Sequence, residues 1–320
     1  MAGITYLDFE KPLLELDEKI SALKAQAEAE NLDMSGEIQS LQDKRNKIET
    51  DLYTHLTRWQ KYQLSRHPQR PYSLDYINLM LTDFIELHGD RFYGDDQAIV
   101  GGLARLDGEP IVVIGQQKGR NTKENLQRNF GLPHPEGYRK ALRLMKMAAK
   151  FNHPVLTLVD TPGAFPGLAS EQRSVSEAIA RNLFEMARLA TPIVVAIIGE
   201  GASGGALGIG VGDRILMMEN AWYSVINPES CSLILWRNRD QKTVAAEAMK
   251  IAAEDLVQLG VIDYIVPEPF GGAHRDHKEA ALQLKKAVRK AIEETRHIPV
   301  SDLTGQRVEK FCKMGKWEEI

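Results

Sequence analysis

A chain of 320 residues can bury a substantial core, and a composition 43% hydrophobic and 26% charged is that of an ordinary globular protein, not a disordered or fibrous one. The formal net charge of −4 argues against nucleic acid or a membrane surface as the main partner, and two cysteines, Cys231 and Cys312, are too few for a disulfide framework or a cysteine zinc site. The longest apolar runs fall far short of a membrane span, and the opening residues carry no basic-then-apolar export pattern, so the expected location is cytosol-like.

Residues 10–65 are charged and poor in glycine. Leu13, Leu16, Ile20 and Leu23 make one stripe at helical spacing, and Ile38, Leu41, Ile48 and Leu52 make another. Turn and cap residues fill 31–36 between them. The pattern predicts two long helices folded back as a hairpin, an arm over 1–66. Such an arm either covers the core or packs on another subunit; a narrow stripe on a charged hairpin favours assembly.

His67-Pro-Gln-Arg-Pro71 cannot be helical and opens the main domain, 67–296. Ser73 caps a helix expected to reach Leu87, with Tyr76, Leu79, Met80 and Ile85 as its buried side, closed by Gly89. Asp107-Gly108 between the apolar runs 98–100 and 111–114 is a hairpin signal. The basic stretch from Gln117 to Pro135 reads as a loop. It is either simply solvated or a phosphate or carboxylate contact through Lys118, Arg120 or Lys123. Pro135-Glu-Gly137 opens a helix to Phe151.

Pro154 to Val159 is a buried strand. It runs into Asp160-Thr161-Pro162-Gly163-Ala164-Phe165-Pro166-Gly167, a loop rich in proline and glycine. Asp160-Thr-Pro-Gly163 looks like a GTPase turn, but the chain has no G-x-x-x-x-G-K-S/T loop to hold the other phosphates. A helix over about 171–190 follows, with Glu171 and Arg173 near the loop.

Ile193 to Ile198 is a β-branched run typical of a strand buried on both faces. It breaks into Gly199, Gly201, Ser203, Gly204 and Gly205, read as a strand, a glycine turn and the start of a short helix. Unpaired N–H groups there sit at the positive end of a helix dipole, and Gly204 and Gly205 let a substrate oxygen approach them. Two N–H groups aimed at one oxygen stabilise an oxyanion or enolate. The plain alternative is that the glycines only allow close packing. Gly199-x-Gly201-x-x-Gly204 also matches a dinucleotide fingerprint, with Glu219 near the acidic position, but the next apolar run begins too soon for a crossover helix. Ligands of open α/β sheets bind beyond the carboxyl ends of strands, so the 160–167 loop and this turn are expected to be neighbours.

Short strands are expected at 215–218, 223–226 and 261–266, and helices at 243–251, 253–259 and 278–295. The loop 267–275 holds His274 and Arg275, which are either structural or ligand contacts. Residues 297–320 read as a C-terminal tail. No paired histidines stand at metal spacing, and no Ser-His-Asp order is worth defending.

Taken in order, Arg70-Pro-Tyr72, Gly115-Gln-Gln-Lys-Gly-Arg120, Pro135-Glu-Gly-Tyr-Arg-Lys140, Val159 to Gly167, Gly199-Glu-Gly-Ala-Ser-Gly-Gly-Ala-Leu207 and Pro267 to Arg275 resemble the α subunits of multi-subunit acetyl-CoA carboxylase carboxyltransferases. The resemblance covers nearly the whole chain. It implies an α/β crotonase-like fold of repeated ββα units after the helical hairpin. It further implies an α2β2 heterotetramer with a zinc-ribbon β subunit, a biotin carboxyl carrier protein, and biotin carboxylase in the larger complex. The implied reaction is carboxyl transfer from carboxybiotin to acetyl-CoA, giving malonyl-CoA for fatty acid synthesis in the bacterial cytoplasm, with no metal in this chain. By resemblance the β subunit holds most of the acyl-CoA site and the enolate's oxyanion hole. Gly204 and Gly205 form the second hole, facing biotin. Gly163, Ala164, Phe165, Pro166, Gly167, Gly201, Lys118 and Arg120 are the expected substrate contacts. A stand-alone crotonase-type hydratase or decarboxylase, with Glu200 as the one candidate carboxylate at the turn, and a non-catalytic scaffold are the competing readings.

Overall fold

A computed structural model describes residues 5–30 and 32–315. Asn31, in the predicted turn, and the outer ends of the arm and tail lie outside the described residues. Helices α1 (Lys11–Glu30) and α2 (Ser35–Thr54) form the expected hairpin. Helix α1 buries Leu13, Leu16 and Ile20, whereas α2 buries none of its residues. A third helix, α3 (Arg58–Ser65), completes the arm. Thr57 and Gln60 cap it reciprocally, and Tyr62 packs its ring 5.2 Å from that of Trp222. Arg58 ties its start to the distant Glu247 and Asp255.

Helix α4 (Ser73–Met80) stops at Met80, not Leu87. The chain continues as an edge strand, β1 (Thr82–Glu86), antiparallel to β2 (Ile99–Leu106). Sheet pairing overrides the helical spacing here; Asp83 takes φ +53° where the pairing is irregular. Strand β3 (Glu109–Gln116) returns through Asp107 and Gly108, both at positive φ, the two-residue turn whose twist matches the hairpin. The predicted loop after it holds a short helix, α5 (Thr122–Gln127), capped by Asn121.

Helix α6 (Pro135–Lys150) leads to β4 (Val155–Thr161). The expected single helix over 171–190 is two, α7 (Leu168–Gln172) and α8 (Val175–Arg188), divided where Ser174 takes φ +62°. Strand β5 (Ile193–Ala202) and helix α9 (Ser203–Leu207) follow, then β6 (Arg214–Met218) and β7 (Trp222–Ser224), which ends short of the expected Ile226. Helices α10 (Pro228–Trp236), α11 (Lys242–Met249) and α12 (Ala253–Gln258) precede β8 (Tyr264–Val266) and α13 (His277–Arg296).

Among the described residues one sheet runs β1-β2-β3-β4-β5-β6-β8, with β7 beside β5. The strands are antiparallel up to β3 and parallel beyond it. Every residue of β4 and β5 is buried, as their unbroken apolar runs require. All carboxyl ends of the parallel strands therefore face one edge.

The opposite edge is closed by a helix in the expected tail, α14 (Val300–Cys312). From it Arg307 donates to both oxygens of Asp213, each at 2.8 Å, and to the carbonyls of Met186, Leu189 and Thr191 at 2.6–2.9 Å. All five guanidinium donors are used. No helix among the described residues is long and apolar enough to cross a membrane.

Candidate functional site

Strands β3, β4 and β5 end side by side, and Thr161 pairs with Gly201. The 160–167 loop and the glycine turn are thus adjacent. Strand β5 passes into α9 through Ser203, which takes φ +55°, a sparsely populated conformation for a residue with a side chain. The first N–H groups of a helix have no partner inside it. Among the described residues no acceptor takes those of Gly204 and Gly205.

The two glycines are packed differently. A Cβ on Gly205 would lie 2.4 Å from the backbone of Gly163, so this residue is fixed by packing. A Cβ on Gly204 would meet nothing nearer than the Ile179 side chain, at 3.7 Å. A side chain at Gly204 would sit in ordinary van der Waals contact with Ile179, so packing alone does not fix this residue as glycine. The Gly205 carbonyl is held from behind by Gln116 Nε2 at 2.7 Å and the Tyr138 hydroxyl at 3.1 Å. Gly201 packs under Tyr223, where a Cβ would come within 2.6 Å of the ring.

The 160–167 loop is fixed at both ends. Gly163 takes φ +148°, and its N–H donates to Thr161 Oγ1 at 3.1 Å. Ala164 lies against Gly205, and the Phe165 N–H donates to the Pro133 carbonyl at 3.0 Å. The Phe165 ring lies 4.3 Å from that of His134, and His134 Nδ1 is 2.7 Å from Ser170 Oγ. Burial and then Arg173 push the His134 pKa below the ordinary imidazole value. Pro166 is exposed, and Gly167 precedes α7.

Lys118 does reach this edge, but its ammonium is already engaged. Nζ lies 2.6 Å from Asp160 Oδ1 and 2.6 Å from Glu200 Oε2. Asp160 Oδ1 also accepts the Glu200 N–H at 3.0 Å, and Arg66 Nε lies 3.1 Å from Glu200 Oε1. Burial opposes the Lys118 charge, but the two carboxylates outweigh it and hold its pKa above the usual lysine range. Burial pushes the Asp160 carboxyl up, against the pull of Lys118.

Other expected contacts fall elsewhere. Arg120 donates to the Pro68 and Arg70 carbonyls at 2.9 Å, pairs with Asp75 and stacks 4.0 Å from the Tyr72 ring centre. It clamps the connector. Lys123 and Glu171 are exposed, and Arg173 pairs with Glu136. His274 stacks on His67 with centroids 3.9 Å apart, while Arg275 pairs with Glu10 of the arm. Gln116, Tyr138 and Asp160 lie inside the stretches quoted above but are not among the expected site residues. Gln116 and Asp160 close apolar strands at one sheet edge, and that placement is the signal that finds them. Among the described residues no group of three His, Cys, Asp or Glu side chains is arranged to hold a metal.

Solved structures share this architecture at low identity. The transcarboxylase 12S core, with methylmalonyl-coenzyme A and methylmalonic acid bound, is 17% identical with a TM-score of 0.58, over 70% of this chain and 41% of that one. A Pseudomonas malonate decarboxylase hetero-tetramer in complex with coenzyme A is 17% identical with a TM-score of 0.59, over 73% and 91%. The fold is that class, a crotonase-like α/β fold with helices ahead of it. The family model for acetyl co-enzyme A carboxylase carboxyltransferase-like proteins matches residues 6–315. The acetyl-coenzyme A carboxylase carboxyl transferase subunit alpha of Chlorobium luteolum is 55% identical over all of this chain and 99% of its own length. That of Methylococcus capsulatus is 54% identical over 99% and 98%. The chain belongs to the acetyl-CoA carboxylase carboxyltransferase family. Its activity class is accordingly that of a transferase, a carboxyltransferase.

Proposed function

We propose that this chain, with a zinc-ribbon β subunit in an α2β2 assembly, moves the carboxyl group of carboxybiotin to acetyl-CoA, giving malonyl-CoA in the bacterial cytoplasm. The biotin rides on a carrier protein charged by a biotin carboxylase. The observation that carries the reading is the glycine turn: among the described residues the N–H groups of Gly204 and Gly205 meet no acceptor, and the loop at 163–165 packs against Gly205. Carboxybiotin supplies the carboxyl group. This chain's part is to place the Gly204 and Gly205 N–H groups where negative charge gathers as that group leaves, at the positive end of α9. Two N–H donors that meet no acceptor among the described residues suit a ureido oxygen, which can accept two hydrogen bonds.

Partner binding has a surface to use. Helix α10 and the strand end before it expose Val225, Ile234, Leu235 and Trp236, an apolar strip unusual for a surface left in water. A stand-alone hydratase or decarboxylase would need a free carboxylate at the turn. Glu200 is the candidate, but both its oxygens are bound to cations.

The test runs the reaction in reverse, with malonyl-CoA and a free biotin derivative, following acetyl-CoA release. The expected result is activity only when the chain is mixed with its β subunit. Gly204→Pro removes one donor where a side chain has room, and is expected to cut turnover about a hundredfold or more with assembly intact. Near-normal turnover would sink the oxyanion-hole assignment, and activity of the chain alone would favour the stand-alone reading.

A further inference from the structure

The ends of β3, β4 and β5 meet at one ammonium. Lys118 lies 42 residues from Asp160 and 82 from Glu200 in sequence, yet touches both. All three side chains are nearly excluded from water, at 12%, 3% and 7% exposure. Asp160 opens the 160–167 loop and Glu200 opens the glycine turn. Their approach is close enough that a Cβ on Gly199 would stand 2.5 Å from Asp160 Oδ1. Gln116, two residues before Lys118, bonds the Gly205 carbonyl at 2.7 Å and the Asp160 N–H at 3.1 Å. The end of β3 therefore grips both halves of the site.

A phosphate or carboxylate of a ligand would meet poor conditions here. The ammonium already faces two carboxylates, and Arg66 only balances the second. A third anion would be repelled at short range in a buried setting.

We propose that Lys118 is a positioning residue that sets the spacing between the 160–167 loop and the 200–205 turn, and that it takes no anionic group of a ligand. The inference rests on the carboxyltransferase reading above.

The assembled complex carrying Lys118→Met tests it. An error of about 1 Å between reacting groups costs roughly a hundredfold, so kcat with malonyl-CoA and the biotin derivative is expected to fall by about that factor. The KM for malonyl-CoA is expected to stay within about threefold, since no substrate contact is removed. In this variant Arg66 still balances Glu200 but Asp160 loses its cation, and a carboxyl beside a carboxylate takes a proton more readily. The variant's kcat is therefore expected to recover as pH falls from about 8 to 6, as a carboxyl–carboxylate hydrogen bond replaces the bridge. A rise in KM at unchanged kcat would make Lys118 a ligand contact and overturn the proposal, and so would unchanged kinetics.

Glu200→Gln keeps an oxygen for Lys118 and serves if the first variant does not fold. A kcat loss of roughly tenfold or less is expected. A loss larger than that of Lys118→Met would mean that Glu200 itself reacts, and would also overturn the proposal. Hydrogen exchange at 161–165 and 201–205 gives a reading that needs no turnover. Both segments are expected to exchange faster together in Lys118→Met, and unchanged exchange would defeat the spacing role. Loss of activity in the unsubstituted complex would count against the carboxyltransferase reading alone.

Discussion

The two edges of the central sheet use the same device to different ends. At each, one buried cation ties together segments distant in sequence. At the amino edge Arg307 spends every donor on Asp213 and three carbonyls, and nothing is left over. At the carboxyl edge Lys118 joins Asp160 and Glu200, while among the described residues the N–H groups of Gly204 and Gly205 meet no acceptor. Buried backbone donors are almost always paired. The teaching is that charge burial alone does not mark a site. What separates the two edges is the pair of donors left open at one of them.

The largest effect should come from breaking the open edge. Gly205→Val drives a branched side chain into the Gly163 backbone, and turnover of the assembled complex is expected to fall by more than about a hundredfold. Breaking the closed edge should do something else. Arg307→Met leaves the Asp213 carboxylate buried without its cation, which is expected to cost about 3–5 kcal/mol in denaturant unfolding. Turnover per folded complex should not change, and a fall in kcat would erase the distinction between the edges.

What could be read beforehand follows the same division. The β-branched runs of β3, β4 and β5, the Asp107-Gly108 hairpin and the proline-opened α6 were legible because local pattern and tertiary structure agree there. The glycine turn and the 160–167 loop were legible as neighbours because parallel strands place their carboxyl ends together. Strand β1 was not, since Ile85 continues the helical spacing of Tyr76 and Met80 and only pairing with β2 decides otherwise. The break at Ser174 and the role of Arg307 depend on backbone and partners that no local window contains. The sequence left Lys118 open between a solvated loop and an anion contact, because its two carboxylate partners lie far along the chain.

Acid sharpens the comparison at a third place, where the connector meets the 267–275 loop. Both ring nitrogens of His274 are buried and meet no hydrogen-bond partner among the described residues. Burial first, then His67, Arg275 and Arg70, hold its pKa down to about 3, against Glu268. The folded pKa is below the unfolded one, so this contribution to stability is intact above the ordinary imidazole value. It is lost as pH falls from about 6.5 towards 3, because the unfolded chain binds the proton first. His274→Phe should flatten the fall of Tm over that range, and an unchanged profile would remove His274 as its source.

The smallest effect is expected at Ser203. Glycine there relieves a left-handed backbone conformation, and Ser203→Gly should alter unfolding free energy by no more than about 1 kcal/mol. Its value is in kinetics: a turnover unchanged by that substitution would show that the frame, and not the strained residue, places the donors.

The Arg307–Asp213 pair also has a history in time. The two residues are 94 positions apart, and chains grow at about 5–20 residues per second, so the carboxylate waits roughly five to twenty seconds for its guanidinium. Through that interval β5 and β6 have no closed amino edge. The sheet of each newly made chain is therefore sealed late, from its C-terminal side, and this edge is the one a chaperone would find open longest.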